Sequence, residues 1–366
     1  MARKLRSDWI LFTATLALVF ASVVMVYSAS AVVAMERFHQ PYLFLFKQLT
    51  WAALGLLFLR ALMRVDYRHY RQPVVIWGVL GAVTLALVAV LFGPTINGTR
   101  RWFGIAGIGV QPSELAKIAA ILFTAALLER RMAQIDDWRA TLAPIGLMVA
   151  LLAGLIVLEP DFGTSVSLVA TVAVMVFSAG ISYRYVVAAA AAAVPLAVVA
   201  VIAAPYRLQR VLTFLDPWKD QQGAGFQVIQ SLIAVGSGGV TGRGLMAGVQ
   251  KMFYLPEPHT DFIYAVAAEE LGLVGATVIL LCFCVITWRG LHASLRAPDR
   301  FGAFLALGLT TMIALQAFVN ISVVLGLMPT KGIPLPFVSA GGSSLLVNLI
   351  AMGMLLNVSQ HASART

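Results

Sequence analysis

Charge is what this chain has least of: only 11% of its 366 residues are Asp, Glu, Lys or Arg, against about a quarter in an ordinary soluble domain. That scarcity, with 60% hydrophobic residues and a mean hydropathy of +0.89, excludes a water-soluble globular fold. Cysteine is nearly absent too. Cys282 and Cys284 sit inside an apolar run and fall on different helix faces, which argues against a disulfide or a thiolate metal site and leaves ordinary packing. The glycine run at 236–248 has no Gly-Lys-Ser/Thr ending and follows no strand. A Walker-type phosphate loop is therefore missing, which argues against ATP-driven transport. Short alternating strands, the mark of a membrane barrel, are missing as well.

What is present is a succession of apolar runs, each of about 18 residues or more and so able to cross a hydrocarbon core of about 30 Å as a helix. The expected fold is an all-α polytopic membrane protein, one membrane domain over residues 1–366 with about ten transmembrane helices. Their expected positions are 9–34, 44–63, 74–93, 113–129, 141–158, 163–181, 185–204, 262–288, 302–327 and 340–358. The first run follows a basic start but extends for about 26 residues without a small-residue cleavage site, and reads as a retained span. Basic residues crowd one set of short loops, including Arg3, Lys4, Arg6, Arg60, Arg64, Arg68, Arg71, Arg130, Arg131, Arg139, Arg184, Arg289, Arg296, Arg300 and Arg365. The positive-inside rule then puts both termini in the cytoplasm. The long extracytoplasmic loop 205–261, between the seventh and eighth spans, falls outside. The net charge of +10 follows from this bias and a basic outer loop, so it points to anionic lipid and not to nucleic acid. The sequon Asn97-Gly98-Thr99 matters only in a eukaryotic secretory pathway, of which there is no sign.

Within the long loop, Phe226, Ile229, Leu232 and Ile233 recur at helical spacing, which predicts an interfacial or re-entrant helix-and-loop cap over a slack linker. Alanines 188–193 predict close helix packing in the seventh span.

An ionisable group at the centre of a membrane helix costs about 2.5–3.5 kcal/mol, so each needs a reason. Glu114 and Lys117, three apart, can pair on one face; a self-neutralising pair and a cation facing a cavity fit equally. Glu159-Pro160-Asp161 reads as a solvated turn, and Glu269 and Glu270 as structural hydrogen-bonding groups. The segment Pro256-Glu257-Pro258-His259-Thr260-Asp261-Phe262 differs, because it closes the outer loop and sets Asp261 at the lip of a span. There Asp261 can cap the helix, take a proton, or hold a cation. His259, Asp261 and Glu257 lack the spacing of a standard zinc site. Arg100, Arg101, Arg207, Arg210, Lys219, Arg243, Lys251 and Lys331 all fall outside, against the usual bias, which suits a phosphate-bearing lipid headgroup.

The ordered motifs carry a resemblance. Val24-Met25-Val26-Tyr27-Ser28-Ala29-Ser30, Gly98-Thr99-Arg100-Arg101-Trp102-Phe103, and Gln111-Pro112-Ser113-Glu114 with Lys117 come first. Glu159-Pro160-Asp161-Phe162-Gly163-Thr164, Leu215-Asp216-Pro217-Trp218, and Gln230-Ser231 with Gly236-Ser237-Gly238-Gly239 follow. The segment ending in Asp261-Phe262, then Pro329-Thr330-Lys331-Gly332 and Pro336-Phe337-Val338-Ser339, complete the series. Over nearly its whole length the chain resembles the SEDS family of bacterial cell-wall polymerases, the RodA/FtsW/SpoVE family. It is closer to the division branch than to the elongation branch, through Pro329-Thr330-Lys331-Gly332 and Leu356-Asn357-Val358-Ser359. One departure is Ala340, where the family usually has tyrosine.

The resemblance implies a peptidoglycan glycosyltransferase that polymerises lipid II at the outer face of the bacterial inner membrane, with Asp261 as the catalytic base. It implies Arg100, Arg101, Trp102, Lys117, Arg243, Lys251 and His259 as substrate-binding residues, and Glu114, Glu159, Asp161 and Glu269 in support. No tightly bound cofactor is expected, though a divalent Mg or Mn ion would suit the phosphate chemistry. The implied partners are lipid II, undecaprenyl-linked glycan, a class B penicillin-binding protein and other division membrane proteins. A lipid II flippase using Glu114, Lys117, Glu159 and Asp161 as a polar path is the alternative.

Overall fold

In hydrocarbon every backbone N–H and C=O must find its partner within the protein, so apolar runs fold as helices. A computed structural model describes residues 7–95, 99–105, 108–252 and 254–362. Asn97 and Gly98 of the sequon, and the basic residues Arg3, Lys4, Arg6 and Arg365, lie outside the described residues. In chain order the helices are α1 (Trp9–Phe38), α2 (Leu43–Leu62), α3 (Pro73–Leu91), α4 (Pro112–Arg131), α5 (Ala143–Leu158) and α6 (Phe162–Ser178). They continue as α7 (Tyr183–Ile202), α8 (Pro205–Leu215), α9 (Phe226–Ser237), α10 (Ile263–Leu295), α11 (Arg300–Val324) and α12 (Gly342–Ala362). A small hairpin, β1 (Phe103–Ile105) antiparallel to β2 (Ile108–Val110), joins α3 to α4 with Phe103 opposite Val110. It leaves the class all-α.

Each of the ten expected spans corresponds to a long helix, and α8 and α9 lie within the loop. Among the described residues seven helices are long and apolar enough to cross a membrane: α1, α2, α3, α5 with the π turn before it, α10, α11 and α12. Helix α4 carries Glu114, Lys117, Glu129, Arg130 and Arg131. Helix α6 has only 17 residues, and the apolar stretch of α7 is Tyr183–Leu196. Helix starts follow local chemistry. Pro73, Pro112 and Pro205 occupy first helical positions, where the missing N–H costs nothing. Asp161 caps α6 by accepting from Thr164 N at 3.1 Å.

Helices α4, α10, α11 and α12 form the centre, flanked by α1, α2 and α6. Small residues let backbones approach: Gly55 of α2 receives Leu349 of α12, and Gly353 of α12 rests on the Leu59 backbone. The alanine run 188–193 does not serve this purpose. Its side chains are exposed, and α7 packs chiefly against α8 at the periphery.

Helix α10 is interrupted at Gly272, whose φ of 66° no ordinary side chain adopts readily. The break frees carbonyls and N–H groups in the middle of a span, and the glycine-dense loop satisfies them. Arg243 N donates to Glu269 O at 3.0 Å, Gly244 N to Glu270 O at 3.0 Å, and Leu273 N to Gly239 O at 2.9 Å. The glycines of this run therefore let one backbone dock into another, the condition under which irregular backbone survives at membrane depth.

Candidate active site

Asp261 stands two residues before α10, in a segment clasped to residues 332–340. Ala340 N donates to His259 O at 2.9 Å, Ser339 Oγ to Thr260 O at 2.6 Å, and Asn320 Nδ2 to both Asp261 O and Ile333 O at 2.8 Å. Leu335 N in turn donates to Ser339 Oγ at 2.7 Å. The backbone on either side of the carboxylate is thus held by three residues from distant parts of the chain. Glu257, between two prolines, adopts a φ of 50°, a strained left-handed turn that brings the segment into the clasp. His259 is buried against Phe44, ring centroids 4.7 Å apart. Burial pushes its imidazole below the ordinary value, so it acts as a neutral packing group.

The Asp261 side chain has none of this support. Its carboxylate, half-buried, receives no hydrogen bond among the described residues. Helix capping is ruled out, because the residue at the cap position is Phe262 and no side chain caps α10. Burial pushes the Asp261 carboxyl up to about 6, with Glu257 and Asp161 adding to the rise and Arg101 and Arg210 opposing it. Gly332 borders it so closely that a Cβ there would lie 2.9 Å from Oδ2.

Cations stand near this carboxylate: Arg101 and Arg210 act on it directly, and Lys331 precedes the Gly332 that borders it. Helix α8 is amphipathic and places Arg207 and Arg210 one turn apart. Arg210 Nη1 donates to Thr330 O at 2.9 Å. Arg207 and Lys331 both lie over the Phe162 ring, 4.8 and 5.4 Å from its centroid. Burial lowers the Lys331 ammonium from its usual range. A cavity of about 300 Å³ opens beside them, lined by Tyr206, Gln209, Arg210, Phe226, Pro256 and Thr330. Arg101 completes the group, with Nε buried and unpartnered among the described residues.

Glu159 and Asp161 of the Glu159-Pro160-Asp161 turn are buried, not solvated, with Pro160 exposed between them. Asp161 is held by Gln111 Nε2 at 2.7 Å and Thr164 Oγ1 at 2.8 Å. Both oxygens of Glu159 lack a partner among the described residues. Burial pushes that carboxyl up to about 8, Asp161 adding to the rise and Arg101 opposing it.

Three expected substrate cations are occupied elsewhere. Lys251 is buried, its Nζ 2.6 Å from Glu270 Oε1 and 2.8 Å from Ser28 Oγ. Arg243 turns to Glu269 at 3.7 Å. Lys117 pairs with Glu114 at 3.0 Å and donates to Gln316 Oε1 at 3.0 Å, both members of the pair buried, so the self-neutralising arrangement is the one adopted. Glu269 accepts from Val249 N at 2.9 Å and Gln250 N at 3.2 Å, the structural role expected of it. Arg100 is exposed and donates to Leu91 O at 3.3 Å. Trp102 lies across Gly109 of the hairpin. Reading the sequence put Arg207, Arg210 and Lys331 among the outer basic residues suited to a phosphate headgroup but not among the substrate-binding residues, and it gave Asn320 and Ser339 no role at the site; the amphipathic pattern of α8 was the available signal for the first two.

Together these features define a multi-pass helical membrane protein that presents a carboxylate with no donor and a set of cations at one end of its bundle. The model of the family described as cell cycle protein, the FtsW/RodA/SpoVE family, matches residues 8–364, and the chain belongs to this family. It is 42% identical to the probable peptidoglycan glycosyltransferase FtsW of Geobacter metallireducens, over 97% of this chain and 95% of that one. It is 43% identical to the stage V sporulation protein E of Bacillus subtilis, over 98% and 99%. Among solved structures, a chain of a peptidoglycan synthase complex superposes with a TM-score of 0.80 at 32% identity, covering 98% of this chain and 99% of that one. The rod shape determining protein RodA of Thermus thermophilus does so with 0.71 at 28%, covering 98% of each.

Proposed function

We propose that this peptidoglycan glycosyltransferase polymerises lipid II with Asp261 as the general base. The sugar 4-hydroxyl of one substrate attacks the anomeric carbon of the other, and the bond from that carbon to the pyrophosphate oxygen breaks. The hydroxyl proton passes to Asp261, and undecaprenyl pyrophosphate leaves with the bonding electrons. Direct attack inverts the anomeric centre. The observation that carries this reading is the unpartnered Asp261 carboxylate: raised to about 6, it is ionised at neutral pH yet basic enough to accept a proton, the compromise general-base catalysis favours.

Arg101 and Arg210, whose charges act on Asp261, take the place of Lys117, Arg243 and Lys251 as groups suited to the pyrophosphate, with Lys331 next to the Gly332 that borders the carboxylate and Arg207 one turn from Arg210 on α8. Charge on the leaving group is best stabilised by cations fixed before reaction. Among the described residues no cluster of three or more His, Cys, Asp or Glu could cage a metal. A Mg or Mn ion would therefore be one that accompanies the pyrophosphate, held by one or two carboxylates such as Asp261 or Glu257 and supplying further positive charge.

The site is proposed to face the outer leaflet, with both termini cytoplasmic. The FtsW name borne by relatives supports a septal role in division beside a class B penicillin-binding protein. The flippase reading loses support because Lys117 and Glu114 neutralise each other.

The test uses the purified full-length chain with its transpeptidase partner and lipid II. Asp261→Asn is expected to cut glycan synthesis by about 10²–10⁴-fold while partner assembly persists. Glycan made at the wild-type rate would refute the assignment.

A further inference from the structure

At the end of the bundle opposite Asp261, a 3-10 turn (Tyr67–Arg71), the start of α3 and the last turn of α4 enclose a second cavity. It measures about 450 Å³ and is lined by Arg68, Arg71, Gln72, Pro73, Glu129 and Arg130. Three guanidiniums face one carboxylate. Arg71 Nη1 reaches Glu129 Oε1 at 3.0 Å, and Arg68 Nε reaches Asp299 Oδ2 at 3.4 Å. Arg130 is exposed, and its guanidinium meets only the Arg71 carbonyl, at 3.4 Å, among the described residues. The cavity therefore holds positive charge that no carboxylate among the described residues matches.

The arginine-bearing turn is fixed from beneath. Tyr67 is fully buried, its N–H donating to Asn357 Oδ1 at 2.9 Å and its hydroxyl to Asp299. Asp66 caps the turn, accepting from Arg68 N at 3.0 Å. An anion entering here meets guanidiniums already in place, which lowers the ordering cost of binding. The start of α3 has Pro73 in its first turn and no side-chain cap from Gln72, so its positive end adds to the same field.

Next to the cavity, the first turns of α3 beyond Pro73 present exposed apolar side chains. Val74 is 83% exposed and Trp77 61%, and the indole stands edge-on to Phe123 of α4 with centroids 5.6 Å apart. Arginines at the mouth and an exposed tryptophan beside them match the boundary between headgroups and acyl chains. A soluble anion would use only the arginines. A lipid uses both halves.

We propose that this cavity binds an anionic phospholipid, its phosphate held by Arg71 and Arg130 and its acyl chains lying along Val74 and Trp77. Guanidinium is the side chain best matched to phosphate, through paired N–H donors.

The experiment titrates the full-length protein, in mixed micelles with phosphatidylcholine, with phosphatidylglycerol brominated on its acyl chains or with equally brominated phosphatidylcholine. The readout is the fluorescence lost from Trp77, taken as the difference between wild type and Trp77→Phe. Brominated phosphatidylglycerol is expected to quench at a several-fold lower mole fraction than brominated phosphatidylcholine. Arg130→Gln should weaken that preference about five-fold, and Arg71→Gln/Arg130→Gln further, at about five-fold per charge. Arg71→Lys/Arg130→Lys should keep most of it. Arg130→Gln alone suffices if the double variant does not fold, since Arg130 supports no other side chain. Equal quenching by the two lipids, or an unchanged preference in Arg130→Gln, would overturn the proposal. So would loss of quenching on adding millimolar inorganic phosphate, which would assign the cavity to a soluble anion.

Discussion

Asp261→Asn separates a catalytic carboxylate from a structural one by the sign of its effect on stability. In the folded chain this carboxyl titrates at about 6, against an ordinary 3.8. Between those values the folded state binds the proton and the unfolded state has released it, so stability falls as pH rises through this window. Above about 6 the folded chain carries the whole cost of a charged carboxylate in a dry setting. The gap between the two values corresponds to roughly 3 kcal/mol, and the partial exposure of Asp261 reduces this to about 1–2 kcal/mol. An amide of the same shape removes that cost. At pH 8 the purified Asp261→Asn chain is expected to melt about 2–5 °C above wild type, and near pH 4 the two should coincide. Glycan synthesis by wild type should rise to a plateau through pH 6, while the residual rate of the variant stays flat. A carboxylate that served the fold by pairing with Arg101 or Arg210 would give the opposite sign. Lower melting at pH 8 would therefore refute the reasoning even if activity were lost.

Three other substitutions probe buried charge and the fit around Asp261. Glu159, pushed up to about 8, is protonated at neutral pH, so Glu159→Gln should match wild-type stability within about 1 kcal/mol at pH 7. At pH 9 the wild type must bury a charge and the variant should be the more stable; an equal melting difference at both pH values would contradict this. Lys251→Met leaves Glu270 buried and uncompensated and should cost about 3–5 kcal/mol in thermal unfolding. Adding Glu270→Gln, which removes the stranded charge and keeps an acceptor for Met246 N, should recover most of that loss with glycan synthesis within tenfold of wild type, whereas a stable but inactive double variant would return Lys251 to the substrate. In Gly332→Ala the new methyl would lie 2.9 Å from Asp261 Oδ2, so the carboxylate must shift; kcat should fall about tenfold or more with KM little changed, and unaltered kcat would show that the position of Oδ2 is not critical.

The helices were legible because their cause is local: a run of apolar residues in a solvent without hydrogen bonds has one backbone solution. The amphipathic spacing from Phe226 was legible for the same reason, and α9 begins there. Burial of Glu159 and Asp161 was not, because a proline turn between two spans looks like any solvated connector. Only the return of Gln111 and the arrival of Arg101 from the hairpin before α4 enclose it. Lys251 failed for a related reason. Its partners, Ser28 and Glu270, come from α1 and α10, and no spacing rule joins them. The alanine run in α7 satisfied a rule for close packing, but its side chains are exposed, and among the described residues α7 packs chiefly against α8 at the periphery.

Rarity of charge in a membrane protein selects two kinds of residue that sequence alone cannot separate. Glu269, Glu270 and Lys251 are as unexpected in an apolar setting as Asp261, and all lie within a dozen residues of it. What separates them is satisfaction. Glu269 and Glu270 have used their oxygens on loop N–H groups, Ser28 and Lys251, and thereby fix the first half of α10 across the break at Gly272. That half of α10 begins two residues after Asp261, so the satisfied carboxylates anchor the element from which the unsatisfied one projects. The side chains of Asn320 and Ser339 and the backbone N–H of Ala340 clasp the carbonyls on the other side, and because position 340 contributes its backbone alone, alanine is tolerated there. The hydrogen bonds that hold the segment end on its backbone carbonyls, and the Asp261 carboxylate is left with its lone pairs free for a proton.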